Sequence, residues 1–200
     1  MAENITVLAQ AVRWLDAGRR VALAGVMASW HEGFCGRSLA VDETGVSFGT
    51  LSGGCVEDSV LAQALRAIRD GEQRLLGYSV TDEVAQRQAS LECGGRIDLF
   101  VEPVDPESRV HRLLDRLVTA RADGLAVALV TDLVTGLKTL VFQQAVHGGF
   151  ALEEQVLCEV RRLLVVGRSL VLESEGETRL FVQVFSADFP DKCRAVTIDP

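Results

Sequence analysis

Apolar runs alternating with amphipathic helical stretches predict an α/β protein: mixed sheets with flanking helices, arranged as two related α/β halves. Three observations carry this expectation. Val21–Ser29 and 125–133 are nearly unbroken runs of small and branched residues of strand length, each preceded by helical periodicity, which Gly18 ends in the first case. Asp42-Glu43-Thr44-Gly45 has turn chemistry between two short strand-like runs. The whole pattern then restarts after Pro103, and a shift of one hundred positions places Gly36 on Gly136, Val41 on Val141 and Gly49 on Gly149. The expected halves are 1–104, which holds the ligand chemistry, and 105–200, a degenerate second copy.

Taken in order, Ile5, Leu8, Val12 and Leu15 line one face of an opening helix that Gly18 ends. A buried strand follows from Val21, then a hairpin of 38–42 and 46–51. Val56, Val60, Leu61, Ala64, Leu65 and Ile68 recur at helical spacing, so Cys55 is expected to open a helix that Asp70-Gly71 stops. A strand at 74–80, a short helix at 81–90 and an alternating strand at 96–104 complete the first half. Asp105-Pro106-Glu107 reads as N-cap, first-turn proline and first-turn acid of a helix carrying Val110, Leu113, Leu114, Leu117 and Val118. In the second half, strands are expected at 125–133 and 137–142, a turn at Gly148-Gly149, and a helix marked by Val156, Leu157, Val160, Leu163 and Leu164. Strands at 170–173 and 180–185 finish the pattern. Cys158 falls within that last helical pattern and reads as core, and His111 and His147 read as structural.

A chain of 200 residues can bury roughly 70% of its unfolded surface and needs no staples. Five cysteines without framework spacing indicate reduced thiols in a cytoplasm. No apolar run approaches the ~20 residues of a membrane span, and Met1-Ala2-Glu3-Asn4 has no signal-peptide character. A net charge of −8 and a pI near 4.9 argue against nucleic-acid binding.

The most informative stretch is Ser52-Gly53-Gly54-Cys55-Val56-Glu57, echoed downstream by Cys93-Gly94-Gly95. A glycine pair before a helix lets an anion approach backbone N–H groups at the positive end of the helix dipole. A thiol held there is suited to binding a soft metal or to nucleophilic work. Ser52, Gly53, Gly54, Cys55, Cys93, Gly94 and Gly95 are therefore the candidate ligand-binding residues, with the two turns expected to converge.

These motifs, with Glu92 before Cys93, the hairpin turn at Asp42 and the tail Phe100-Val101-Glu102-Pro103, resemble the XdhC/CoxI/CoxF family. Its members are accessory proteins of molybdenum hydroxylases such as xanthine dehydrogenase and carbon monoxide dehydrogenase. The resemblance implies a chaperone, not an enzyme with catalytic residues of its own. It would bind the molybdenum cofactor (molybdopterin), protect it and deliver it to an apo molybdenum hydroxylase. A cysteine desulfurase or other sulfur donor and a homodimer are further implied partners. The family's Rossmann domain is not expected here, because Val165-Val166-Gly167 is followed by no G-x-G-x-x-G. Where the family carries a Ser-Pro-Arg-Pro-x-Gly-like segment, this chain reads Trp30-His31-Glu32-Gly33-Phe34-Cys35-Gly36, without that arginine.

Three other readings remain open. His31, Cys35, Cys55 and Cys93 form a possible soft set for copper or zinc, although without the tight Cys-x-x-Cys spacing of a structural zinc site. Cys55 with His31 as base is a possible sulfur- or acyl-transfer pair. A docking module without ligand is the last.

Overall fold

A computed structural model describes residues 2–29, 34–80, 95–173, 179–186 and 196–197. The element order is α1 (Ala2–Asp16), β1 (Val21–Ser29), β2 (Ser38–Asp42), β3 (Ser47–Gly49), α2 (Glu57–Asp70), β4 (Arg74–Val80) and β5 (Gly95–Val104). The second half continues with α3 (Arg109–Ala122), β6 (Val127–Asp132), β7 (Lys138–Val141), β8 (Val146–Gly148), α4 (Glu154–Val166), β9 (Leu170–Glu173) and β10 (Arg179–Phe185). A two-residue strand, β11 (Val196–Thr197), follows.

The strands form two sheets, ordered β3-β2-β1-β5-β4 and β11-β9-β10-β6-β7-β8. The first is antiparallel throughout, and the second is mixed only through the parallel pairing of β11 with β9. Apart from β11, the second sheet repeats the topology of the first strand for strand. Register agrees as well: Ala22 pairs with Val41 as Ala128 pairs with Val141, and Leu39 pairs with Gly49 as Thr139 pairs with Gly148. Gly148, not Gly149, is thus the counterpart of Gly49. At both positions an added Cβ would press into the neighbouring strand, within 2.4 Å of the Ser38 carbonyl oxygen or 2.3 Å of Thr139.

The sheets are buried on both faces, which explains strands that read as continuous apolar runs in antiparallel company. Helix α2 covers the outer face of the first sheet through Val60, Ala64, Ala67 and Ile68, against Ala22, Ala24, Val26 and Leu99. Helix α4 does the same for the second sheet through Val160, Leu163 and Leu164. Between the sheets, α1 and α3 share a core of Leu8, Val12, Leu15, Leu114, Leu117 and Leu129. Further along, the inner faces meet directly at Met27, Phe100, Leu133 and Phe181.

One ion pair crosses this apolar junction. Lys138 Nζ on β7 lies 2.9 Å from Glu102 Oε1 on β5, with the lysine 1% and the glutamate 12% exposed at the side chain. The ammonium also donates to Thr131 Oγ1 at 2.7 Å and faces the Phe100 ring. Burial pushes the Glu102 carboxyl above the usual range, and the lysine charge and hydrogen bond act against that rise.

Two expectations are corrected here. Helix α3 is capped by Ser108, whose hydroxyl accepts from His111 N–H, and not by Asp105. Asp105 to Ser108 forms a separate turn, with Glu107 in the left-handed region at φ 59°. His111 is structural as expected: Nδ1 accepts from Glu107 N–H, which leaves Nε2 to donate to Asp16 at 3.1 Å. Cys158 is exposed rather than core, because the buried stripe of α4 runs through Val160, Leu163 and Leu164 on the other side of the helix. The helix expected at 81–90 lies outside the described residues.

Candidate functional site

The two halves differ in a directional way. At the end where helices return to strands and hairpins turn, paired connections have equal length: 17–20 against 123–126, 43–46 against 142–145, and 71–73 against 167–169. At the opposite end, every connection of the first half is longer: 30–37 against 133–137, 50–56 against 149–153, and 81–94 against 174–178. The surplus between β3 and α2 is two residues, the size of the Gly53-Gly54 insertion. His31 and Cys35, then Cys55, then Cys93 and Gly94 each belong to one of these three enlarged connections. The end of β1, the starts of β2 and β5 and the ends of β3 and β4 lie at one rim of the first sheet, so all three connections leave from that rim. The sequence motifs singled out as candidates therefore fall, apart from Gly95, in the connections that are longer in the first half.

The 50–56 turn is built around a carboxylate. Glu57 Oε1 accepts from Thr50 Oγ1 (2.9 Å), Leu51 N–H (3.1 Å) and Ser52 N–H (2.9 Å). Its Oε2 accepts from Ser52 Oγ (2.8 Å), Gly54 N–H (2.9 Å) and Val56 N–H (3.1 Å). Ser52 Oγ in turn accepts from Cys55 N–H and Val56 N–H, and Thr50 Oγ1 from Gly53 N–H. Burial pushes the Glu57 carboxyl up, but the hydrogen bonds from Ser52, Thr50 and Leu51 outweigh it and bring the group down to about 2. Gly53 and Gly54 take φ of 79° and 112°, a region that costs other residues roughly 1–3 kcal/mol.

This revises the chemistry expected of the turn. The helix begins at Glu57 with Val56 as N-cap, so Cys55 stands two residues before the first helical position. The N–H groups expected to receive an external anion are already bonded to the protein's own carboxylate and to Ser52. Glu57 also offsets the partial positive charge of the helix start. The glycines thus shape a loop closed on Glu57 that carries Cys55, and its N–H groups are engaged internally.

Cys55 is half-buried and packs with Phe34 against the outer core of the first half. Cys35 is buried, 2% exposed, in the turn that returns to β2. The guanidinium of Arg37 stacks 4.7 Å from the Phe34 ring centroid at the same rim. Sequence reasoning passed over Arg37, yet it stands one residue after the segment where the family's arginine is missing, which was the signal available. Tyr78 on β4 packs on the same core, and burial raises its phenol. Gly95 is a strand residue opposite Val80, not part of a free bend. His31, Cys93 and Gly94 lie outside the described residues. Among the described residues no group of three or more His, Cys, Asp and Glu side chains is arranged to hold a metal ion, and no helix is long and apolar enough to cross a membrane.

Fold and rim together define a two-part α/β protein with one elaborated, thiol-bearing sheet end. Residues 14–79, about a third of the chain, match the XdhC and CoxI family, and the matched stretch contains both the Cys35 and the Cys55 connections. Among solved structures, one described as a xanthine dehydrogenase from Bacillus halodurans is similar at a TM-score of 0.61 and 22% identity. That likeness is one of fold; it covers 88% of this chain and 52% of the other, so the chain spans about half the length of that protein. No curated protein sequence matches the chain.

Proposed function

We propose that this protein is a maturation chaperone that binds the molybdenum cofactor and delivers it to an apo molybdenum hydroxylase. The observation that supports the reading is the greater length of all three connections that leave one rim of the first sheet, with Cys55 and Cys35 on two of them inside the family-matched stretch. In this reading Cys55, on a loop locked by Glu57, offers a soft sulfur ligand to the dithiolene-bound metal, with Cys93 as second thiol. The turn's own N–H groups being engaged, the pterin phosphate is held by side-chain cations, of which Arg37 is the one stacked at this rim. Delivery requires reversible binding, and a half-buried single thiol such as Cys55 suits a hand-over better than an enclosed four-ligand cage.

The test is a titration of purified protein with molybdenum cofactor, followed by its visible absorption. Saturable binding that is lost on Cys55→Ala or Cys93→Ala, and weakened on Arg37→Gln, is the expected result. A protein indifferent to the cofactor, or binding unchanged in both cysteine variants, overturns the reading. Copper or zinc that co-purifies and disappears on Cys35→Ala would replace it with a metal-handling role.

A further inference from the structure

The repeat of one framework in two halves gives each residue of the second half a counterpart, and one set of counterparts opens a cavity. A recess of about 520 Å3 lies between α3 and the β7–β8 hairpin, walled by Ala120, Leu125 and Phe142 and rimmed by Arg116, His147 and Asp123. That size lies within the range of small-molecule sites, roughly 300–1,000 Å3. It is remote from Cys55 in the fold, being built wholly from the second half.

The correspondence is fixed by backbone hydrogen bonds. Asp123 N–H bonds Thr119 O, Gly124 N–H bonds Arg121 O and Leu125 N–H bonds Ala120 O, repeating Ala17 to Arg13, Gly18 to Leu15 and Arg19 to Trp14. Trp14 is therefore the counterpart of Ala120, and Arg19 of Leu125. Strand register likewise makes Asp42 the counterpart of Phe142 and Phe48 that of His147. In the first half, the Trp14 indole is buried in the central core and Arg19 pairs with Asp42 at 2.9 Å. The second half has a methyl group where that indole stands and two apolar side chains where that ion pair stands. A ring is removed, and the space it leaves has apolar walls.

We propose that this recess binds a small aromatic anion: a flat ring of about indole size, carrying a carboxylate. The ring class follows from the counterpart side chain, because the same framework in the first half seats an indole at the corresponding position. The anion follows from the rim. Arg116 Nη2 lies 3.4 Å from His147 Nε2, so a carboxylate seated at that edge receives the guanidinium with the imidazole beside it. Phe142, edge-on to His147 with centroids 5.8 Å apart, offers an aromatic wall to the ligand ring. Asp123, the acid at the rim, is the C-cap residue of α3 and orients the ligand by excluding a carboxylate from its own side.

The test is a titration of the whole chain with indole-3-carboxylate, and separately with neutral indole, read from the methyl resonances of Ala120, Ala126 and Ala145 and the ring resonances of His147. Saturable shifts confined to these residues are expected, with the carboxylate bound about tenfold more tightly than indole, the scale of one charge-assisted hydrogen bond. Ala120→Trp, which restores the first half's side chain, abolishes the shifts. Arg116→Gln, at an exposed position, removes the tenfold preference and keeps the ring binding, and it tests the proposal even if Ala120→Trp fails to fold. Absence of saturable shifts at millimolar probe, shifts spread across the surface, or a preference that survives Arg116→Gln overturns the proposal. A tryptophan-containing peptide that binds where both free probes do not also overturns it, assigning the recess to a protein partner.

Discussion

Glu57→Gln removes the charge that gathers the turn around Cys55 while keeping the side-chain length. In the native protein six donors converge on this carboxylate. An amide turns an NH2 group toward some of them and leaves N–H groups without an acceptor. The magnitude follows from linkage: the carboxyl lies at about 2 against an ordinary 4.5, which corresponds to about 3 kcal/mol favouring the folded state. Partial solvent screening lowers this to roughly 2–3 kcal/mol. For a chain of this size the melting temperature should fall by roughly 4–12 °C. The sign is fixed by the direction of the shift. A depressed folded-state value stabilises the protein fully above 4.5, and that stability fades as pH falls from 4.5 toward about 2. Urea unfolding at steps from pH 7 down to about 3 should show the gap between native protein and variant at its widest at neutral pH and narrowing in acid. Other depressed carboxyls such as Asp42 titrate in both proteins and cancel in the difference. Equal midpoints at pH 7, or a gap that does not narrow with acid, would refute the assignment of Glu57 as the organiser of the turn.

Gly54→Ala places a side chain where φ is 112° and nothing lies within 4 Å, so a loss of about 1–2 kcal/mol in urea unfolding should arise from backbone strain alone. Lys138→Met leaves Glu102 buried without its partner and should cost about 3–5 kcal/mol, whereas Glu102→Leu combined with Lys138→Met should regain most of it in a double-mutant cycle. Cys55→Ala should change stability by less than about 1 kcal/mol by thermal melting, since the turn is held by Glu57 and Ser52, while abolishing cofactor binding. Replacing 50–56 with a five-residue connection like 149–153 should leave a folded protein by circular dichroism that no longer binds cofactor.

Much of the framework was legible because periodicity and burial agree. The strand expected at 74–80 is β4, and the run from Val21 is β1, since both faces of the first sheet are covered and no polar alternation interrupts it. Asp105 and Ser108 are both good caps by residue type, and the choice of Ser108 depends on His111 reaching back to Glu107 N–H. The sequence places Cys55 at the opening of the helix, whereas it stands two residues earlier in a turn filled by an acceptor that the motif does not announce. An acid in a first helical turn has an ordinary dipole rationale, and only the folded path of 50–56 shows the same carboxylate reaching back to Thr50. The Glu102–Lys138 pair and the recess beside Ala120 were invisible for a different reason. Each depends on how two segments that are distant in sequence come to share one junction or one counterpart position.

Because all the differences in length between paired connections fall on one rim, the scaffold separates its variable end from its constant one. Residues can be gained there without moving the corners at which α1, α2, α3 and α4 meet their strands, so new recognition can be acquired without renegotiating the fold. The short connections of the second half then serve as a ready acceptor: an enlarged loop such as 50–56 can be transplanted onto 149–153 between the same two kinds of element.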